Sequence, residues 1–147
     1  MLCKAAEVLG QSELISEVEE IALRIAQAVY EQALDEDGGL FYEGQAGKII
    51  DTNKEWWPQA EAVIGFLNAY QLSGQEHFFE AAFECWEFIE QHIVDQTHGE
   101  WFWRVVRDGT PDFPQPKVSL WKCPYHNTRA CIESIQRLRA ISKGGQN

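Results

Sequence analysis

Two short segments of this sequence gather most of the side chains able to do chemistry. The first is Lys54-Glu55-Trp56-Trp57-Pro58-Gln59-Ala60-Glu61. The second is Trp121-Lys122-Cys123-Pro124-Tyr125-His126-Asn127, with Arg129 two positions further on. Histidine gains and loses a proton near neutral pH, so His126 is the candidate general base or acid. An indole face stacks on the apolar face of a pyranose while carboxylates and amides take its hydroxyls, which makes the loop-like Trp56, Trp57, Trp101, Trp103 and Trp121, with a carboxylate such as Glu61, candidates for a sugar site. Each has a plain alternative, because tryptophans fill cores and the helix dipole favours a carboxylate near a helix start. Arg129 reads as a substrate contact or as the partner of a neighbouring carboxylate, and Lys54, Gln59 and Asn127 carry less of the argument.

The remaining histidines read as surface residues with structural roles: His77 near a helix start, His92 near a helix end, His98 in a turn. No two of them make a metal-ligand pair on one face, so no metal is expected. Cys3, Cys85, Cys123 and Cys131 contain no C-x-x-C pair and match no common ligand spacing, so they are expected to be buried, reduced thiols. No glycine-rich phosphate loop is present, and no cofactor is expected.

The elements that must position these residues are mostly helical. From Ser12, read as an N-cap, to about Leu34, the apolar residues Val18, Ile21, Ala22, Ile25 and Val29 follow a helical spacing. Similar patterns run over 58–72, 75–94 and 124–141, and Leu2 to Leu9 reads as the end of another helix, cut off at its start as if by truncation. Two glycine-bounded aromatic segments, 38–44 and 99–109, read as short strands or hairpins, and 111–116 as a proline-rich loop.

These pieces repeat. Asp35-x-x-x-Gly39 leads to an aromatic segment, a loop with Lys54, and Trp56-Trp57-Pro58 opening a helix. Asp95-x-x-x-Gly99 leads to an aromatic segment, a loop with Lys117, and Trp121-Lys122-Cys123-Pro124 opening another. The period is roughly 60 residues, as in stacked helical hairpins. Proline suits a first helical turn because the N–H it lacks would have no partner there. The polar residues just past each proline, Glu61 in one unit and His126, Asn127 and Arg129 in the other, then face a shared mouth.

Length and composition fit one domain over 1–147: 45% of residues are hydrophobic and the formal charge is −11. That charge argues against a nucleic-acid partner and gives no attraction to an anionic membrane. No apolar run approaches the roughly 20 residues of a spanning helix, and no signal peptide is visible after Met1, so the expected location is cytoplasmic.

Both motifs closely resemble the corresponding stretches of the N-acylglucosamine 2-epimerase and cellobiose 2-epimerase family, as do Gly99-Glu100-Trp101-Phe102 and the Asp108-Gly109 turn. The resemblance implies an all-α fold, a partial (α/α)6 toroid forming the C-terminal portion of an epimerase barrel. The chain would supply about five of its helices, with short β-hairpins in the inter-helix loops. It implies inversion at C2 of an N-acylglucosamine-, mannose- or cellobiose-type sugar. The ring opens, one histidine removes the C2 proton to leave a cis-enediolate, and a second histidine returns a proton to the opposite face.

His126 matches the family's catalytic histidine on the last inner helix, and Trp57, Glu61 and Trp121 match positions around the sugar. The His-x-x-Glu element that carries the partner histidine has no equivalent here. The chain is therefore expected to need a homo-oligomer or a complementing N-terminal chain. A non-catalytic carbohydrate-binding remnant and a helical interaction module are the alternatives.

Overall fold

A computed structural model of the chain describes residues 2–113 and 115–144; Met1, and Pro114 of the expected proline-rich loop, lie outside them. Helices form where apolar residues recur every three or four positions. The first, α1 (Leu2–Leu9), stops at Gly10, whose φ of 66° few other residues would adopt. The long helix α2 (Ser12–Gln32) follows, with Gln11 rather than Ser12 in the extended cap position. Ser12 is already helical, the first residue of α2 rather than its cap.

Strands β1 (Glu43–Gln45) and β2 (Lys48–Asp51) form an antiparallel hairpin closed by Ala46 and Gly47, both at positive φ, as a tight two-residue turn requires. The two-residue strand β3 (Lys54–Glu55) runs directly into α3 (Trp56–Ser73), which Gly74 ends in the left-handed conformation. Pro58 is the third residue of α3, still within the first turn where it breaks no helical bond. Helix α4 (Glu76–Phe88) continues as a π-helical turn over Ile89–Ile93. Strand β4 (Arg104–Val105) and helix α5 (Tyr125–Gly144) complete the order.

The sequence repeat is visible in the backbone. Leu34 N–H bonds Val29 O at 3.2 Å and Val94 N–H bonds Ile89 O at 2.9 Å, so both outgoing helices end on a widened turn. Each then makes an isolated bridge, Leu34 with Leu40 and Val94 with Trp101. The spacing that predicts an uninterrupted helix to Val94 cannot register this widening, which keeps the apolar pattern and changes only the hydrogen-bond partner. Strands β3 and β4 pair antiparallel, Lys54 with Val105 and Glu55 with Arg104, and tie one repeat to the next. The second aromatic segment is thus more than the expected local hairpin.

Helix α3 is apolar around most of its surface because it packs against α2, α4 and α5. Phe66 stacks on Phe78 with centroids 6.2 Å apart, and Tyr30 meets both edge-on. Several polar groups are buried with it. Lys54 is 0% exposed and reaches Asp35 Oδ2 at 2.9 Å and Asp37, with the Phe88 ring 4.8 Å away. This lysine, placed by sequence in a loop near the site, instead clamps the exit of α2. Lys117 repeats the device, donating to Asp95 Oδ2 at 2.6 Å and Gly99 O at 2.8 Å. Gln59, also fully buried, donates to Leu40 O and accepts from Leu40 N–H, closing a short sheet-like contact.

Two expectations need correction. His77 lies between Tyr30 and Phe78 with Nε2 3.3 Å from Gln27 Oε1, and His92 stacks on Phe88, so both are half-buried packing residues; only His98 is exposed. Cys85 is buried, and burial pushes its thiol up, but Cys123 is exposed in the loop before α5 and Cys3 and Cys131 are half-buried. All four are free. Among the described residues no helix is long and apolar enough to cross a membrane.

Removing one partner of a buried ion pair leaves the other charge uncompensated. Lys54→Met should therefore lower stability by about 3–5 kcal/mol. A urea titration of the purified variant checks this, and a loss near zero would show that Asp35 and Asp37 find other partners.

Candidate functional site

Helices α3 and α5 bring the two sequence motifs together. His126 is the second residue of α5, and its Nδ1 lies 2.9 Å from Glu61 Oε1 on α3. The other oxygen of Glu61 accepts from Arg129 Nη1, one turn after His126 on the same face of α5. One carboxylate thus bridges an imidazole and a guanidinium. With a carboxylate at Nδ1, the neutral ring carries its proton there, which leaves Nε2 as a lone-pair acceptor. Burial works to raise the Glu61 carboxyl, but Arg129 and His126 outweigh it and hold it below its ordinary value.

Aromatic rings enclose the imidazole. Trp57 lies 5.9 Å from it, tilted by 44°, and Tyr125 and Trp56 approach edge-on at 5.0 and 6.5 Å. Trp56 is buried against Trp103 at 4.9 Å, while Trp57 keeps part of its face open to solvent. Glu55 accepts from Trp57 Nε1 at 3.3 Å, and burial raises its carboxyl despite its indole partners Trp57 and Trp103. Glu55 therefore fixes the tilt of the ring that faces His126. Beside Glu61 and Arg129 opens a cavity of about 430 Å³, lined also by Pro58, Asn68 and Arg137.

The start of α5 is held by a second carboxylate. Glu100 Oε1 accepts from Lys122 Nζ at 3.0 Å and from Asn127 Nδ2 at 3.0 Å, and Lys122 also donates to Lys117 O at 2.8 Å. Lys122 is completely buried with its cation 5.2 Å from the Trp56 ring, and burial lowers its pKa despite Glu100. Glu100 reaches both partners from a backbone with φ 63°. These bonds set where His126 sits relative to Glu61.

Of the residues singled out from sequence, His126, Glu61, Arg129 and Trp57 converge, and Arg129 takes the carboxylate partner that was its alternative reading. Trp121 does not join them: it is 86% exposed in the loop before α5. Asn127 points to Glu100, and Lys54 and Gln59 belong to the framework. Sequence reasoning gave no role to Glu55, Glu100 or Lys122, although all stand inside the motifs it quoted, and Trp56, read there as a possible sugar-stacking ring, is instead buried. Among the described residues no three His, Cys, Asp or Glu side chains are placed to hold a metal ion.

Comparison with known proteins identifies the family. Residues 4–130 match the family model described as N-acylglucosamine 2-epimerase. The chain belongs to that family of sugar epimerases. It is 48% identical over 139 residues to a cellobiose 2-epimerase of Dictyoglomus turgidum, covering 94% of this chain and 35% of the relative. It is 43% identical over 136 residues to a cellobiose 2-epimerase of Bacteroides fragilis, covering 92% and 34%. A crystal structure of a sugar epimerase from a ruminal bacterium superposes with a TM-score of 0.87 at 43% identity, over 92% of this chain and 35% of that one. The chain thus spans about a third of the length of these relatives.

The depressed Glu61 carboxyl makes part of the stability dependent on pH. Ionised Glu61 contributes fully above its unfolded value, near 4.5, and the contribution is lost as pH falls through the lower folded value. The stability gap between wild type and Glu61→Gln, read from urea midpoints, should close as pH falls through that range. In Arg129→Met the burial of Glu61 loses its main opponent, and carbon-13 NMR titration should find the carboxyl shifted upward. An unchanged value would remove Arg129 from this role.

Proposed function

We propose that this chain forms the catalytic-histidine part of a sugar 2-epimerase that inverts C2 of a cellobiose-, mannose- or N-acylglucosamine-type sugar. The observation that carries the reading is the bridge of Glu61 between His126 and Arg129, beside the part-open face of Trp57. After ring opening, His126 Nε2 takes the proton from C2, and the electron pair of the broken C–H bond moves into an enediolate. Glu61, on the far side of the ring, stabilises the imidazolium that forms. Trp57 stacks on the sugar, and Trp121 reaches it only when its exposed loop is covered. Arg129 holds Glu61 ionised and borders the adjoining cavity.

The proton returned to the opposite face comes from a second histidine, supplied by the family's length outside this chain. That requirement supports a partial (α/α)6 toroid completed by a complementing N-terminal portion, or by further copies in an oligomer. The acidic surface and a small sugar substrate fit a cytoplasmic enzyme.

Solvent deuterium exchange at C2 of cellobiose, mannose and N-acylglucosamine, followed by proton NMR, tests the reading on the chain combined with a complementing portion. Exchange into one of them is expected, and His126→Asn should slow it by about 10²–10⁴-fold. An assembly that binds sugar in calorimetry but never exchanges its C2 proton would overturn it in favour of a carbohydrate-binding module.

A further inference from the structure

The carboxylate of Glu55 makes none of the bonds that its place in the fold offers. It stands at the cap position of α3, with φ −84° and ψ 149°, yet its side chain takes no helix N–H. Arg104 is its cross-strand partner, but the Arg104 guanidinium donates to Asp112 Oδ2 at 2.5 Å. Asp51 adds a like charge nearby. The carboxylate is half-buried all the same, and its bonds go to two indoles, Trp57 Nε1 at 3.3 Å and Trp103.

The neighbouring indole shows that this is not simply the satisfaction of a buried donor. Trp56 is 4% exposed, and its Nε1 is buried with no partner among the described residues. Trp57, 37% exposed, could give its N–H to water, and it is the one that the carboxylate holds. Trp56 is wedged against Trp103 beside the Lys122 cation, so packing fixes it. Trp57 has no such enclosure: it stands at the second residue of α3 and meets His126 with the rings 44° apart. Without an acceptor at its edge, this exposed ring would turn among rotamers. The acceptor therefore sits where orientation needs it, not where desolvation does.

That choice decides what Trp57 can recognise. Nε1–H is the indole's one donor. With that proton given to Glu55, the ring offers a ligand its face alone. A face selects a patch of C–H groups, such as the apolar side of a sugar ring, and does not read single hydroxyls.

We infer that Glu55 is a positioning residue for the sugar: it pins the edge of Trp57 so that the ring stands as a stacking platform at a fixed angle to the His126 imidazole. This rests on the reading of Trp57 as a sugar contact, but not on turnover, because the effect is read in binding and in the indole itself.

Two measurements test it. In the wild-type chain, nitrogen-15 NMR follows exchange of the indole N–H protons with water, the signals being assigned by their loss in Trp57→Phe and Trp121→Phe. The Trp57 proton should exchange at least about tenfold more slowly than that of Trp121, which is 86% exposed. In the chain combined with a complementing portion, calorimetry with cellobiose, mannose and N-acylglucosamine compares affinities, folding being checked by circular dichroism. Glu55→Leu should weaken the best-bound sugar about tenfold, and Glu55→Gln, which keeps an acceptor oxygen, should recover most of the loss. In a Trp57→Ala background Glu55→Leu should add less than about twofold, because the platform it positions is gone. Equal exchange of the two indoles would overturn the inference, as would unchanged affinity in Glu55→Leu. So would losses that add in the double variant, since Glu55 would then touch the sugar itself. Normal C2 exchange with an inert Glu55 removes this inference and leaves the epimerase reading; Glu55-dependent binding without C2 exchange does the reverse. An assembly that binds no sugar removes both.

Discussion

An ammonium group taken fully out of water costs several kcal/mol unless counter-charges and hydrogen bonds replace what it loses. Lys54 meets that demand with Asp35, Asp37 and two aromatic rings, and in doing so fixes the place where α2 gives way to the segment leading into α3. Lys117, only partly buried, makes the corresponding pair with Asp95 at the exit of α4. Because β3 carries Lys54 and pairs with β4 of the next repeat, the clamp in one unit also positions the loops of the other. The helix starts that bear Glu61 and His126 are held from this frame.

At the site itself, the same economy of charge recurs at smaller scale. Glu61 has two oxygens and two cationic or protonated partners, so its geometry follows from α3 and α5 together rather than from either helix. Glu55 on one side and Glu100 on the other hold the aromatic wall and the helix start. Three carboxylates, each with a different partner set, thereby orient one imidazole.

Helices and the repeat were readable from sequence because apolar spacing, helix-opening prolines and glycine stops are local signals. The pairing of β3 with β4 was not, since two-residue strands show no alternation and their partners lie in different repeats. Burial of Lys54, Lys122 and Gln59 ran against the usual meaning of polar residues, and only the three-dimensional network reveals it. The widened turns at Val29–Leu34 and Ile89–Val94 require no special residues and so leave no trace in the sequence. For the site, motif proximity grouped His126, Glu61, Arg129 and Trp57, whose side chains lie together, but could not show that Trp121 stands exposed or that Arg129 faces Glu61.

Position 100 illustrates how such a network limits sequence drift. Its backbone, at φ 63°, suits glycine or asparagine, whereas its hydrogen bonds to Lys122 and Asn127 require a long acid. Glycine would relax the backbone and strand a buried lysine; aspartate would keep the charge and fall short of its partners. The two demands pull toward different residues, and glutamate meets the second while bearing the backbone cost of the first. Random substitution there has almost nowhere neutral to go, although the residue itself lies a full segment away from the imidazole it helps to aim.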